Sequence, residues 1–310
     1  MNEAVAAHVL LATALRRLIV TARDTKQRVL VSAEDRGCTD DEALHDFRVA
    51  LRRMRTHLRT ARRVWNSKRI ERIENELRYY ARVTGALRDD EVLHGTLASL
   101  GLPQIAADEV NAWLARRAHA ARSARRSILR IVREGPSNRE ADSAGSKRIR
   151  PLDDVLDKLE RLLDVEPQQP LAASEAARDA IERALRDVRR AAQAEVDDAD
   201  AMHALRIREK RLRYTAELFA NELGEEAQKL QQQATRMQRR LGELHDLDEA
   251  LVVVTRARSL ASAAKQATIA ALRGARSVRA AKVEPHLIEA RGAGAHLASA
   301  SNDPLPSPSS

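Results

Sequence analysis

Two stretches of this 310-residue chain carry the same set of reactive side chains at the same spacing. The first reads His45-x-x-Arg48-Val49-x-x-Arg52-Arg53-x-Arg55, and the second reads His203-x-x-Arg206-Ile207-x-x-Lys210-Arg211-x-Arg213-Tyr214. Neither pattern offers a nucleophile with its base. Both offer cations three or four residues apart, which on a helix rising 1.5 Å per residue stand about 5 Å apart along the axis. Guanidinium forks pair with phosphate oxygens through two hydrogen bonds at once, so the chemistry is recognition of an anion met turn by turn. Arg59 and Arg62 extend the first row at the same rhythm.

The elements that must position these rows are helices. Leu44, Phe47, Leu51, Met54, Leu58, Ala61 and Trp65 alternate at spacings of three and four, a stripe that faces a core, and the basic row runs one residue behind it. In the second stretch Met202, Leu205, Leu212, Ala216 and Phe219 form the matching stripe, with Glu209 where Leu51 stands. Arg53 and Arg211 fall off the rows and point toward a neighbouring helix or the far side of a groove. The two motifs are offset by 158 residues, and a second pair, Gly85-x-x-x-Asp89 and Gly242-x-x-x-Asp246, by 157. Two coupled matches at nearly one offset read as a duplicated helical unit.

Composition agrees. Aromatics are 2% of residues, and Gly and Pro number only 11 and 9, so the core is built from aliphatic side chains on helices and the fold class is all-α. Helices are expected from Ala4 to Glu34, Asp40 to Trp65, Ser67 to Val83, Gly85 to Leu100 and Gln104 to Arg133, with Thr39 to Glu42 capping the second. A breaker-rich linker at 135–150 separates a first half, 1–134, from a second, 151–276. That half holds helices over Pro151–Asp164, from Pro170 to about Val196, Met202–Leu223, Glu225–Leu241 and Asp246–Arg276, with Gly224, Gly242 and Gly274 as punctuation. Residues 277–310 are a tail, disordered at its Ser- and Pro-rich end.

Lys and Arg number 54 against 45 Asp and Glu, a net charge of +9 that points to anionic partners. A single cysteine, Cys38, rules out an intramolecular disulfide and suits a reducing cytoplasm. No signal peptide and no membrane-spanning run are seen, and Ala257–Ile269, rich in small residues, reads as helix packing rather than a membrane-surface helix.

The doubled His-x-x-Arg motif and the paired Gly-x-x-x-Asp turns resemble the CHAD family, the conserved histidine α-helical domain, over about residues 4–275. The resemblance implies two four-helix bundles related by pseudo-twofold symmetry around a basic groove or pore that binds inorganic polyphosphate and directs the protein to polyphosphate granules. It carries the ligand contacts to His45, Arg48, Arg52, Arg53 and Arg55, and to His203, Arg206, Lys210, Arg211 and Arg213; Arg59 and Arg62 rest on spacing alone. Thr56 stands where Tyr214 does, so the halves are not equivalent. The expected protein is not an enzyme and uses no metal or other cofactor, and its oligomeric state is open.

Two other readings use the same residues. Nonspecific nucleic-acid binding through the basic groove needs no helix-turn-helix, zinc spacing or aromatic platform, and none is present. Metal-dependent phosphohydrolysis is suggested by His45-Asp46 and His245-Asp246, but Ala204 replaces Asp46 in the second copy and Arg88 replaces His245 in the first. A bland alternative, a solvated basic face, predicts that charge reversal changes no binding.

Overall fold

A computed structural model describes residues 5–34, 40, 42–143, 149–167 and 170–300. All of its described secondary structure is helical, apart from one antiparallel bridge between Ala6 and Ala172 that ties the start of the chain to a later helix. In chain order the helices are α1 Ala7–Glu34, α2 Ala43–Ala61, α3 Ser67–Val83, α4 Gly85–Ala98, α5 Gln104–Ala120, α6 Arg122–Glu134 and α7 Asn138–Ser143. They continue with α8 Leu152–Leu163, α9 Ala173–Ala191, α10 Ala199–Leu218, α11 Ala220–Leu223, α12 Glu225–Arg256 and α13 Ser262–Ala300.

The expected stripe on α2 is buried along its whole length, from Leu44 to Trp65, and fixes which face of the helix is left for the basic row. Asp40 accepts a hydrogen bond from the Ala43 backbone N–H at 3.0 Å and so caps α2, while also pairing with Arg28 of α1 at 2.8 Å.

Several elements differ from the sequence reading. The helix expected over Gln104–Arg133 is two helices, α5 and α6, that meet at Ala121. Gly242 and Gly274 interrupt nothing: α12 runs through Gly242 and α13 through Gly274, because one glycine costs a helix only about 1 kcal/mol and flanking packing outweighs that. Gly224, at φ +57°, does end α11. The helix expected to stop at Arg276 continues to Ala300 with Pro285 inside it, so 277–300 is helical. Part of the expected linker forms α7, where Glu140 accepts from the Ser137 N–H at 2.8 Å and pairs with Arg130. Cys38, linker residues 144–148 and tail residues 301–310 lie outside the described residues.

Among the described residues, buried apolar side chains form three clusters. The first joins α1, α2 and α3 to α8, the start of α9 and Phe219. The second joins α4 and α5 to the end of α12 and the start of α13, with Ala257, Leu260 and Ala264 in its interior. The third joins the rest of α9 to α10, the middle of α12 and Val283 and Leu287 of α13. The core therefore does not divide at the linker. Residues of α8, which follow it, pack with the helices that precede it: Trp65 donates its indole N–H to the Val165 carbonyl at 2.9 Å, and Tyr80 its hydroxyl to the Arg150 carbonyl at 2.7 Å.

The consequence is testable by denaturation. Leu156→Ala on α8 empties a fully buried position among α1–α3 and should cost about 2–5 kcal/mol. A denaturation midpoint equal to that of the wild type would remove α8 from that core.

Candidate anion-binding site between helices α2 and α10

Helix α2 belongs to the first apolar cluster and α10 to the third, and the two pack against each other where those clusters adjoin. Burial of the apolar stripes leaves the basic rows on the flanks that meet.

One group of four cations gathers at this contact. Arg48 and Arg52 come from α2 and Arg206 and Lys210 from α10, and Arg52 lies close enough to the other three to disfavour their charge. Among the described residues no carboxylate stands within ion-pair distance of any of them. Arg48 donates instead to the Ala81 carbonyl at 2.9 Å, one of the last carbonyls of α3, and to the Thr84 hydroxyl at 3.3 Å. The Arg206 Nε is buried with no hydrogen-bond partner. Burial, then repulsion by Arg52 and Arg206, pulls the Lys210 ammonium down to about 6. Asp89 opposes Arg48 at longer range, and Asp246 opposes Arg206 and Lys210. Burial in turn raises the Asp246 carboxyl above its ordinary value, against the pull of Arg206 and Lys210.

The two Gly-x-x-x-Asp elements border this group. A β-carbon on Gly85 would lie 3.5 Å from Arg48 Nη1, and one on Gly242 would lie 3.9 Å from Arg206 Nε, both ordinary van der Waals contacts. The two glycines thus stand beside equivalent arginines of the doubled motif.

A second group lies further along the same contact. Arg55 and Arg211 are half-buried, have no carboxylate within ion-pair distance among the described residues, and are each pulled down to about 10, first by burial and then by Arg59. Arg208 adds to the repulsion on Arg211, and Arg55 and Arg211 repel each other. The Arg55 Nε is buried and unbonded.

The remaining residues singled out by the sequence have other engagements. Arg59 and Arg62 bond Glu74 of α3 at 3.0 and 2.6 Å, and Arg78 approaches it at 3.6 Å. Glu74 is 1% exposed; burial pushes its carboxyl up, but Arg59, Arg62 and Arg78 together outweigh this and hold it below its usual range. Arg53 pairs with Glu217 of α10 at 2.9 Å, and its guanidinium lies 5.5 Å from the centre of the Tyr214 ring. Arg213 sits 5.4 Å from the same ring and donates to Gln238 at 3.2 Å. His203 meets His245 of α12, Nδ1 to Nδ1, at 3.2 Å, and burial lowers both, His245 to about 3. His45 is exposed and makes no hydrogen bond or ion pair among the described residues. Its neighbour Asp46 pairs with Arg28 at 2.9 Å. Among the described residues no three His, Cys, Asp or Glu side chains form a cluster able to hold a metal ion, and no helix is long and apolar enough to cross a membrane.

The fold and the site thus define an all-helical protein that holds two cationic helices together, with six of the cations between them lacking a carboxylate within ion-pair distance among the described residues. The CHAD domain family model matches residues 13–255, and the chain belongs to that family. The structure resembles the CHAD domain from the plant Ricinus communis, at 21% identity and a TM-score of 0.65, with 93% of each chain covered. It also resembles PptA from Streptomyces chartreusis, at 19% identity and a TM-score of 0.59, covering 93% of this chain and 98% of that one. No curated protein matches the sequence.

Glu74 separates structural from available arginines, and this can be measured. Glu74→Gln leaves three guanidiniums around an uncharged amide and should cost about 3–5 kcal/mol at pH 7, the range for removing one partner of a buried ion pair. Because the folded Glu74 titrates below the unfolded carboxyl, its contribution is full above about pH 4.3 and is lost as pH falls through the folded value. The gap between wild type and variant should therefore narrow in strong acid; a gap that is constant with pH, or absent at pH 7, would contradict the assignment.

Proposed function

We propose that this CHAD-domain protein binds inorganic polyphosphate, without transforming it, along the contact of α2 and α10, and that this binding directs it to polyphosphate granules in the cytoplasm. The observation that carries the reading is the set of half-buried cations, Arg48, Arg52, Arg55, Arg206, Lys210 and Arg211, that no carboxylate within ion-pair distance compensates among the described residues. Surface arginines ordinarily find acids or water. Like charges crowded at a partly desolvated contact oppose folding, and an anion that replaces the lost hydration removes that penalty. Polyphosphate supplies regularly spaced anionic oxygens and no bases, which suits a contact rich in guanidinium donors and nearly free of stacking platforms.

The direct test is binding of long-chain polyphosphate over a salt series with duplex DNA as competitor. Wild type should prefer polyphosphate, with affinity falling as salt rises by about 0.7–0.9 log units per log unit of salt for each phosphate neutralised, by analogy with nucleic acid. Arg52→Glu with Arg211→Glu should weaken it by about a hundredfold or more, each lost tenfold being about 1.4 kcal/mol. Equal affinity for DNA would make the protein a general polyanion binder, and unchanged binding by the double variant would leave the cations a structural feature only.

Lys210 adds a pH signature. It is largely neutral in the free protein above about pH 6, and a bound anion raises its pKa, so binding takes up a proton. Affinity should therefore fall as pH rises from 6 toward 8. Lys210→Arg, charged throughout this range, should flatten the profile; a profile as steep as that of the wild type would place the titration elsewhere.

A further inference from the structure

The second cationic group borders a recess of about 210 Å³ between α2, α9 and α10. Four guanidiniums line it, those of Arg59, Arg183, Arg208 and Arg211, against the single carboxylate of Asp187. Arg59 is held by Glu74 and Arg183 by Asp179 at 2.6 Å, while Arg208 donates one bond to the Ala204 carbonyl at 3.0 Å. Arg208 and Arg211 are the lining cations with no carboxylate within ion-pair distance among the described residues, and burial weakens Arg211 first, then its neighbours Arg59 and Arg208, against the longer-range pull of Asp187 and Glu74.

The other walls say what kind of anion fits. Thr56 and Thr215 spend their hydroxyl protons on the Arg52 and Arg211 carbonyls, at 3.2 and 2.8 Å, so the donors left to a ligand are guanidinium N–H groups and the Thr60 hydroxyl. No aromatic side chain lines the recess, and its floor includes Ala180 and Ala184. A nucleobase finds no stacking partner there, and a sugar finds few acceptors. A recess of this size admits a compact phosphoryl group and its neighbour.

We infer that this recess is a subsite for the end of a phosphate chain, taking the terminal phosphoryl group of a linear oligo- or polyphosphate while the Arg48, Arg52, Arg206 and Lys210 group takes internal units. This rests on the polyphosphate reading above and specifies which part of the polymer is read. A terminal phosphoryl group carries on the order of two negative charges near neutral pH, as a phosphate monoester does, whereas each internal unit carries one. A recess with a surplus of converging guanidiniums therefore favours an end over the middle of a chain. Short linear phosphates become ligands in their own right.

The experiment compares linear tripolyphosphate with cyclic trimetaphosphate, which has as many phosphorus atoms and no end, by titration calorimetry at fixed salt and pH 7.5. Two variants accompany the wild type. Ala184→Leu fills the recess without changing charge and places a strong helix former on α9; Arg208→Gln removes a donor and serves if the first fails to fold, as judged by its circular dichroism melt. Wild type should bind the linear form well over tenfold tighter, and either variant should cut that ratio by about tenfold. Long-chain polyphosphate with free ends should bind more tightly than the same chains with both ends capped as phosphoramidates, and this difference should vanish in Ala184→Leu. A linear-to-cyclic ratio that Ala184→Leu and Arg208→Gln leave unchanged, with long chains still bound, would overturn the end subsite alone. Failure of wild type to bind long chains of either kind would overturn the polyphosphate reading on which it rests.

Discussion

Like-charge crowding where α2 meets α10 is the constraint the rest of the structure is arranged around. Both helices present a basic row beside their apolar stripe, and packing the stripes into adjoining clusters brings the rows together. Apolar burial along α2, from Leu44 to Trp65, and along α10, from Met202 to Phe219, is what holds them there. Hydrophobic burial has no direction and no sign of charge, so it can oppose a repulsion that ion pairing would otherwise prevent.

The repulsion is relieved selectively. Glu74 of α3 collects Arg59, Arg62 and Arg78, Glu217 of α10 collects Arg53, and the Ala81 carbonyl near the end of α3 collects Arg48. The relief stops short of Arg52, Arg55, Arg206, Lys210 and Arg211, which keep their donors free of carboxylates within reach. Guanidiniums already anchored by one acid or carbonyl lose less freedom when they meet an anion, since their orientation is set before it arrives. Anchored and free arginines thus alternate along one contact.

Much of this was legible in the sequence. The stripe on α2 and the all-helical class follow from periodicity and composition, and the doubled motif marks both helices that form the site. The sequence does not reveal which arginines are spent. Glu74 and Glu217 lie outside the motifs, and their pairings join residues on different helices, so no spacing rule within one helix finds them. The histidines show the same limit: His45 and His203 occupy matching motif positions, yet one is exposed and the other meets His245 on a helix 42 residues further on. Gly242 reads as a turn because glycine ends helices, whereas it lies inside α12, beside Arg206 as Gly85 lies beside Arg48. The recess beside Arg211 draws Arg183 and Asp187 from α9, a helix on which no repeated motif falls.

The uncompensated cations also tie the protein's folded population to its surroundings. An anion that seats among them more tightly than it binds the unfolded chain favours the folded state, and at a hundredfold excess over its Kd it adds at most about 2.7 kcal/mol to stability. Against the roughly 5–15 kcal/mol of an ordinary domain, that is enough to change how much of the chain chaperones and proteases find open. Its lifetime in the cell would then lengthen when anionic ligand accumulates and shorten when the ligand is consumed, so that the amount of protein follows the amount of ligand with no separate sensor.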